Sequence, residues 1–213
     1  MTLYKVGKRL IDVVGSIIGI LLFWPLMLVT AIHIKCVSPK GPVLADIPKR
    51  RGRGGKEFTF LKFRSMIPKA HQWLLDHPKF HKEYIENNYK IASEDDPRVI
   101  LGGVFMRKYS VDELPQFFNV LKGDMSIVGP RAYYPFEVEE QLKKHPEASV
   151  YIEKLSKVKP GITGAWQVGG RSEIGFLDRV KMDAEYADKR SLLYDLWVIL
   201  KTPYVVITKK GAE

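Results

Sequence analysis

Two adjacent carboxylates, Asp112 and Glu113, have the residue types and spacing best suited to chemistry in this sequence. They follow Ser110 and Val111 and directly precede a segment whose apolar spacing predicts a helix. One interpretation is structural, because this stretch has the pattern of a capping box, with Ser110 as the cap and Glu113 bonding back to it. Acidic residues in a first helical turn also meet the positive end of the helix dipole. On the motif alone, helix capping is a sufficient explanation of the pair.

The same position also suits phosphate chemistry. The free N–H groups and the dipole of a helix N-terminus favour negative charge, so they are expected to lower the pKa of a carboxylate there and to attract a phosphate. An ionised aspartate can attack phosphorus when cations neutralise the phosphate oxygens. Arg107 and Arg131 are close in sequence, and Lys62 and Arg64 are expected to converge on the pair. Because adjacent helical residues point about 100° apart, the two carboxylates are expected to have different roles.

The elements that position these residues begin with a long apolar segment. Residues 13–32 contain no charged side chain, and about 20 apolar residues are enough to cross a bilayer core. Pro25 lies inside the segment, where a proline removes a backbone hydrogen bond and favours a bend. Basic residues flank both ends, so the positive-inside rule draws both ends to the cytoplasm. A helix that breaks at Trp24-Pro25 and returns to the same side satisfies both flanks, while a plain kinked span and a buried helix of a soluble protein remain alternatives.

The positive charge of the chain is concentrated around this segment. The chain has 213 residues and a formal net charge of +10, and residues 1–70 hold thirteen Lys/Arg against three Asp/Glu. A nucleic-acid-binding domain usually spreads its basic residues over the folded surface, so this pattern favours anionic lipid headgroups as a partner and no nucleic acid. Asp12, at the entrance to the apolar segment, needs a polar partner, which the interface or a nearby Lys or Arg can supply.

The rest of the pattern predicts an α/β domain that is mostly helical, with a small β-hairpin. Two strands are expected around a basic, glycine-rich loop, and the segment 159–170 is expected to be a loop because it holds so many glycines. In the last helix, Leu193, Leu196, Trp197 and Leu200 share one face, which suits either the membrane interface or the core. The strands are expected at 43–47 and 58–63 around the loop 48–56. One or more helices are expected at about 68–90, a loop that enters a helix at about 106–121, and further helices at 133–145, 178–189 and 192–206.

Five motifs, which follow the basic start and the proline-containing apolar segment in order, resemble the bacterial sugar transferases. These proteins are also called monotopic phosphoglycosyl transferases or polyprenyl-phosphate hexose-1-phosphate transferases. The matching residues are Lys62-Phe63-Arg64-Ser65-Met66, Ser110-Val111-Asp112-Glu113-Leu114-Pro115-Gln116, Asn119-Val120-Leu121-Lys122-Gly123-Asp124-Met125-Ser126, Val128-Gly129-Pro130-Arg131, and Lys159-Pro160-Gly161-Ile162-Thr163-Gly164 with Gln167-Val168 and Gly170-Arg171.

The resemblance implies an enzyme that moves a sugar-1-phosphate from a UDP-sugar to undecaprenyl phosphate and releases UMP, at the first membrane step of O-antigen, capsule or exopolysaccharide synthesis. It implies that Asp112 is the nucleophile of a covalent phosphosugar intermediate and contacts Mg²⁺, with Glu113 as its partner. Alternatives are a non-catalytic membrane-surface binding module and a glycosyltransferase that releases UDP. The candidate phosphate- and substrate-binding residues are Lys62, Arg64, Arg107, Arg131, Gln167 and Arg171.

The resemblance also implies a monotopic membrane protein on the cytoplasmic face of the bacterial inner membrane. Residues 1–40 would form the re-entrant helix broken at Trp24-Pro25, and residues 41–213 a cytoplasmic catalytic domain with interfacial amphipathic helices, including the C-terminal one. The chain departs from the family pattern at Trp24, Ala132 and Lys159. A homodimer is compatible with the sequence, and the chain is expected to be the minimal catalytic form or a fragment that contains it.

Overall fold

The computed structural model describes residues 2–86, 91–170 and 175–208. These ranges are mostly helical with two small two-stranded sheets, which confirms the predicted fold class. The strands are β1 (Arg50–Arg51), β2 (Glu57–Phe58), β3 (Ser126–Val128) and β4 (Gly161–Thr163). The helices are α1 (Thr2–Val37), α2 (Ala70–Leu75), α3 (Pro78–Glu86), α4 (Gly103–Lys108), α5 (Gln116–Lys122), α6 (Pro135–Lys144), α7 (Ser149–Ser156), α8 (Ala165–Gly169), α9 (Phe176–Lys189) and α10 (Leu192–Thr208).

The predicted apolar segment lies within α1, which continues through Pro25 without interruption. The bend at Trp24-Pro25 therefore stays a prediction. By length and composition α1 is able to cross a membrane, and only 22% of its most apolar window is buried within the protein. That exposure argues against the alternative of a buried helix in a soluble core. The exposed apolar side chains include Leu10, Val14, Ile17, Ile18, Leu21, Leu22, Val29 and Ile32.

The other face of α1 lies against the rest of the domain over most of its length. Gly15 and Gly19 allow this approach, because a Cβ at Gly15 would collide with Ile127 and one at Gly19 would lie 2.6 Å from Phe117. Phe23, one turn further on, stacks on Phe117 with ring centroids 6.3 Å apart. The second half of α1 then enters a buried cluster formed by Met27, Ile34, Phe63, Ile100, Met106 and Val111.

Two basic side chains near the start of α1 bind the domain itself. The ammonium of Lys8 forms an ion pair with Asp195 of α10 at 3.0 Å and donates a hydrogen bond to the carbonyl of Val128. The guanidinium of Arg9 donates to two carbonyls in the last turn of α5, at 2.8 and 2.7 Å. This part of the N-terminal positive charge is therefore used within the protein.

Asp12 finds its partner in β3. Its carboxylate accepts hydrogen bonds from the hydroxyl of Ser126 at 2.7 Å and from the backbone N–H of Ile127 at 2.9 Å. The expectation that the interface or a nearby Lys or Arg would serve Asp12 is therefore wrong. Sequence patterns did not reveal this contact, because β3 lies more than a hundred residues away along the chain.

The predicted hairpin forms with different strands. β1 lies inside the predicted loop and pairs antiparallel with β2, because Gly54 and Gly55 adopt positive φ and tighten the turn to three residues. The predicted strand at 43–47 is reduced to a single bridge between Leu44 and Phe63. Backbone hydrogen bonds on either side of this bridge still hold the chain antiparallel to the segment that carries Lys62.

The glycine-rich segment predicted as a loop contains β4 and α8 instead. β4 pairs parallel with β3, and Gly161 faces Gly129 so closely that a Cβ on Gly161 would collide with the Gly129 backbone. The oxygen of Gly129 would likewise meet a Cβ on Gly164. These glycines allow two backbones to approach closely, and they do not mark a loop. The prediction of a loop at 159–170 from its glycine content was therefore wrong.

The helices predicted after the hairpin are largely confirmed. The region 68–90 forms α2 and α3, with Pro78 at the start of α3, although residues 87–90 lie outside the described residues. The predicted helices at 133–145, 178–189 and 192–206 correspond to α6, α9 and α10. The region 106–121 is divided between α4, a short 3₁₀ turn and α5.

The apolar face of α10 points away from the core. Leu193 and Leu200 are 80% and 78% exposed, and Trp197 on the same face is 48% exposed. The opposite side of the helix packs inward through Asp195 and Val198, both fully buried. The helix as a whole therefore packs on the core, as one alternative had it, but the face predicted from Leu193, Leu196, Trp197 and Leu200 is exposed and leaves an apolar surface open.

The hydrogen bonds of Asp12 are expected to hold α1 on the domain. In Asp12→Ala, the buried Ser126 hydroxyl and Ile127 N–H lose their acceptor, which should lower the free energy of unfolding by about 1–3 kcal/mol. Chemical denaturation in detergent measures this change. Asp46→Ala removes an exposed carboxylate and serves as the matched control. Equal stability of the two variants would show that this contact does not anchor α1.

Candidate active site

Asp112 and Glu113 lie in a 3₁₀ turn, Val111–Glu113, between α4 and α5. The predicted capping box does not form: Ser110 adopts a left-handed conformation with φ of 56°, and its side chain makes no capping hydrogen bond. The first residue of α5 is Gln116, so the pair precedes the helix. The capping interpretation of the two carboxylates is therefore wrong.

An extended segment beside this turn brings Lys62 to the pair. The backbone N–H of Phe63 donates to the carbonyl of Asp112 at 2.8 Å. The side chain of Asn119 in α5 also bonds this segment twice: it accepts a hydrogen bond from the backbone N–H of Leu61 and donates one to the carbonyl of Thr59. The ammonium of Lys62 consequently lies 2.9 Å from Asp112 Oδ2 and 3.7 Å from Glu113 Oε1.

The two carboxylates have different environments. The side chain of Asp112 is 2% exposed, whereas that of Glu113 is 32% exposed. Burial, and to a smaller extent Glu113, raises the pKa of Asp112 above its ordinary value, although Lys62 and Arg107 oppose this change. The prediction that a helix dipole lowers this pKa is therefore wrong, because the turn precedes α5 and the carboxylate is desolvated. Burial alone would lower the pKa of Lys62, but the two carboxylates together raise it.

Arg107 extends this cluster on the side of Asp112. Its guanidinium donates to the hydroxyls of Ser65 at 3.0 Å and Ser93 at 3.1 Å. Burial lowers the pKa of Arg107 and Asp112 partly restores it, so the two charges lie within electrostatic reach of each other. Arg107 therefore belongs to the site, held by two neutral hydroxyl groups.

Three arginines lie within electrostatic reach of one another, and we call them the arginine cluster: Arg50, Arg131 and Arg179. Burial lowers the pKa of Arg50 to about 10. The charge of Arg131 lowers this pKa further, whereas the charge of Glu113 raises it. Burial, followed by the charge of Arg131, also lowers the pKa of Arg179. Like charges this close favour an anion among them.

Aromatic rings and backbone contacts position the arginine cluster. Arg50 lies 3.3 Å from the ring centroid of Tyr134, and Arg131 lies 5.2 Å from that of Trp166. The backbone N–H of Arg131 donates to the buried carboxylate of Asp183 at 2.9 Å. Arg50 and Arg179 were missed in the sequence, because their motifs carry no phosphate-binding signature and only the fold brings them to Arg131.

The remaining predicted binding residues are Arg64, Gln167 and Arg171, and the contacts of Arg64 are with residues other than the dyad. Arg64 is buried, and its guanidinium donates to Ser38, Pro42 and Met66, so it ties the end of α1 to the domain. Gln167 is buried in α8. Arg171 lies outside the described residues.

The carboxylates of Asp112 and Glu113 suit a Mg²⁺ site that takes its other ligands from water and substrate. The described residues contain no group of three or more His, Cys, Asp or Glu side chains arranged to hold a metal ion. Mg²⁺ commonly uses one or two carboxylates and takes its remaining ligands from water and substrate phosphates. The adjacent carboxylates of Asp112 and Glu113 fit that requirement.

The chain matches a family model described as bacterial sugar transferase over residues 3–209. This protein belongs to the bacterial sugar transferase family. The galactosyl transferase CpsE of Streptococcus agalactiae is 41% identical over 218 residues, which cover this whole chain and 46% of the relative. The exopolysaccharide production protein ExoY of Rhizobium meliloti is 35% identical, over 97% of this chain and 88% of the relative.

A third relative carries a more specific name. The undecaprenyl-phosphate galactose phosphotransferase of Salmonella typhimurium is 37% identical, over 96% of this chain and 41% of its own length. The chain thus spans less than half of this transferase and of CpsE. In each case the matched part includes nearly all of the chain described above, including the Asp112–Glu113 turn.

The buried carboxyl of Asp183 predicts a pH-dependent stability of the site. Burial raises its pKa to about 7, although the backbone N–H groups of Arg131 and Trp166 oppose this. The folded protein therefore binds a proton that the unfolded chain has lost between about pH 4 and 7. The contribution of Asp183 to the free energy of unfolding should fall as pH rises through this window, by at most about 1.4 kcal/mol per pH unit.

Unfolding of Asp183→Asn across the same pH range measures this effect, because the variant lacks the titrating group. The free energy of unfolding of the variant, relative to that of the parent protein, should rise from about pH 4 to pH 7 and stay constant above that. Asp178→Asn, which removes an exposed carboxylate from the same helix, is the matched control. A constant difference between Asp183→Asn and the parent across the whole range would contradict the raised pKa.

Proposed function

We propose that this protein transfers a sugar-1-phosphate from a UDP-sugar to undecaprenyl phosphate and releases UMP, through a covalent phosphosugar intermediate on Asp112. The observation that carries the proposal is the buried Asp112 carboxylate, 2.9 Å from the Lys62 ammonium and within electrostatic reach of Arg107. Family membership and the names of the relatives support the same chemistry.

The first half-reaction joins Asp112 to the sugar phosphate. A carboxylate oxygen of Asp112 attacks the β-phosphorus, and the bond from that phosphorus to the bridging oxygen breaks, so that UMP leaves with the electron pair. Lys62 opposes the effect of burial on the pKa of Asp112 and so favours the ionised form before the attack. Arg107, within electrostatic reach of Asp112, and Arg50, within reach of Glu113, are available to neutralise the two phosphates of the donor.

The second half-reaction releases Asp112. A phosphate oxygen of undecaprenyl phosphate attacks the same phosphorus, and the Asp112 carboxylate leaves. Glu113, which is one-third exposed, is suited to orient the incoming groups at the open side of the site. Asp112, with Glu113 beside it, would hold Mg²⁺, and this ion would supply further neutralisation of the phosphate charge.

The contacts of α1 support a monotopic arrangement at the cytoplasmic face of the inner membrane. Near its start, Lys8 and Arg9 bind the domain; near its end, His33 bonds the carbonyl of Leu101 at 2.8 Å. Because both ends contact the same domain, an arrangement that keeps both ends on one side of the bilayer fits better than a helix that crosses it. The exposed apolar face of α10 would rest on the same membrane surface.

The dyad also lies next to α1. Val111, directly before Asp112, packs in the same buried cluster as Met27 and Ile34 of α1. An acceptor whose polyprenyl tail stays in the bilayer can therefore present its phosphate to Asp112 without leaving the lipid. This proximity accounts for a phosphate-transfer site at the side of a membrane-associated helix.

The covalent step predicts a mass change on the protein. Incubation with a UDP-sugar and Mg²⁺ and without lipid acceptor should add one phosphosugar to a peptide that contains Asp112, as seen by intact-protein and peptide mass spectrometry. Asp112→Asn should abolish the adduct, since an amide is a poor nucleophile for phosphorus. Asp46→Asn, on an exposed loop, is the matched control and should form the adduct normally. An adduct that persists in Asp112→Asn would remove this residue from the proposed chemistry.

The ion pair with Lys62 predicts a shift in pH dependence. Asp112 must be ionised to attack, so the rate of adduct formation should rise with pH through the raised pKa of this carboxyl. In Lys62→Met the nearest cation is lost, so the pKa should rise further and the acidic limb should move to higher pH. Lys62→Arg keeps the cation and should move the limb less. A rate loss in Lys62→Met that is equal at every pH would instead indicate a role confined to substrate binding.

A further inference from the structure

A cavity of about 220 Å³ lies at the opposite end of α5 from the dyad. We call it the α5 cavity. The dyad precedes α5 and this cavity follows it, so a helix of seven residues, about 10 Å long, separates them. Its lining residues are Gly52, Arg53, Lys56, Glu57, Phe58, Gly123, Asp124 and Lys159.

Lys159 is the unusual group in this lining. It is partly buried, and its ammonium makes no hydrogen bond or ion pair with any residue in the described ranges. A Cβ placed on Gly123 would lie 3.4 Å from Lys159 Nζ and 3.9 Å from Arg9 Nη2. Two cationic groups therefore approach the same point of the cavity wall.

The electrostatic environment of Lys159 favours loss of its proton. Burial lowers its pKa, and the charges of Arg9 and Arg53 lower it further. Asp12 and Asp124 act in the opposite direction but do not compensate. A bound anion would remove this imbalance, because it would neutralise the like charges and supply a partner for the ammonium.

The negative groups near the cavity are already engaged or exposed. Asp124 pairs with Lys122 at 3.1 Å, and Asp12 accepts its hydrogen bonds from β3. Glu57 is exposed. Arg9 donates to the carbonyls at the end of α5, so the negative end of that helix is compensated and does not repel an anion.

We propose that the α5 cavity binds a phosphate group through Lys159, with Arg53 and Lys56 as additional cationic contacts. Its volume is roughly seven times the share of one water molecule in the liquid, enough for a phosphate with part of its hydration shell. The phosphate can belong to the headgroup of an anionic phospholipid or to a free ion in solution. The site does not depend on the proposed transfer reaction.

The reactivity of Lys159 tests the site in the full chain. The purified protein is treated with a limiting amount of acetic anhydride, and acetylation of each lysine is followed by peptide mass spectrometry. Inorganic phosphate is compared with sodium chloride at equal ionic strength in detergent. Bilayers of phosphatidylcholine alone are compared with phosphatidylcholine containing phosphatidylglycerol. Bound phosphate should slow acetylation of Lys159 roughly tenfold, as expected for a charge-assisted contact, and leave the exposed Lys143 unchanged.

The outcomes separate the two sources. Protection by inorganic phosphate supports a site for a free ion, and protection confined to phosphatidylglycerol bilayers supports a headgroup site. Equal acetylation of Lys159 under all conditions, or equal slowing of Lys143, would overturn the proposal. The assay contains no sugar nucleotide or polyprenyl phosphate, so its failure leaves the proposed function untouched, and the reverse also holds.

A variant tests the geometry without disturbing the reporter lysine. Arg53 and Lys56 are exposed, so Arg53→Gln combined with Lys56→Gln should fold normally and should abolish most of the protection of Lys159. Lys143→Gln combined with Lys181→Gln removes the same charge from elsewhere on the surface and should keep the protection. Protection that survives fully in the first variant would contradict binding in the α5 cavity.

Discussion

The ion pair between Lys62 and Asp112 is the interaction on which the site depends. A carboxylate that is 2% exposed would gain a proton unless a cation compensated its lost hydration. Lys62 provides that cation at 2.9 Å, and its position is fixed by backbone and Asn119 contacts to the neighbouring strand segment. The surrounding fold therefore holds a desolvated carboxyl group beside a cation that opposes the rise in its pKa.

The second constraint is the docking of α1. Gly15 and Gly19 of this helix leave room for the side chains of Ile127 and Phe117. Asp12, near its start, accepts hydrogen bonds from β3, so the helix is held against the domain. Apolar faces of α1 and α10 remain exposed. The buried cluster that contains Val111, directly before Asp112, also includes residues of α1, so the dyad and this helix are close together.

The sequence predicted the class of fold and most of the helices, because these depend on local periodicity. It did not predict contacts that join distant segments. Asp12 with β3, the arginine cluster and the close approach of Gly129 to Gly161 all arise from tertiary packing. The capping interpretation was wrong for a related reason: Ser110 turns into a left-handed conformation that local pattern rules do not anticipate. The sequence also suggested that Arg64 converges on the carboxylate pair, whereas its guanidinium bonds the end of α1.

The most direct test of the account is a single-turnover measurement of nucleotide release without any lipid acceptor. If Asp112 forms the covalent intermediate, a UDP-sugar should yield a burst of roughly one UMP per protein chain and then stop. Addition of undecaprenyl phosphate should restart the release. Release of UDP, or the absence of any nucleotide release until the acceptor is added, would contradict the two-step transfer through Asp112.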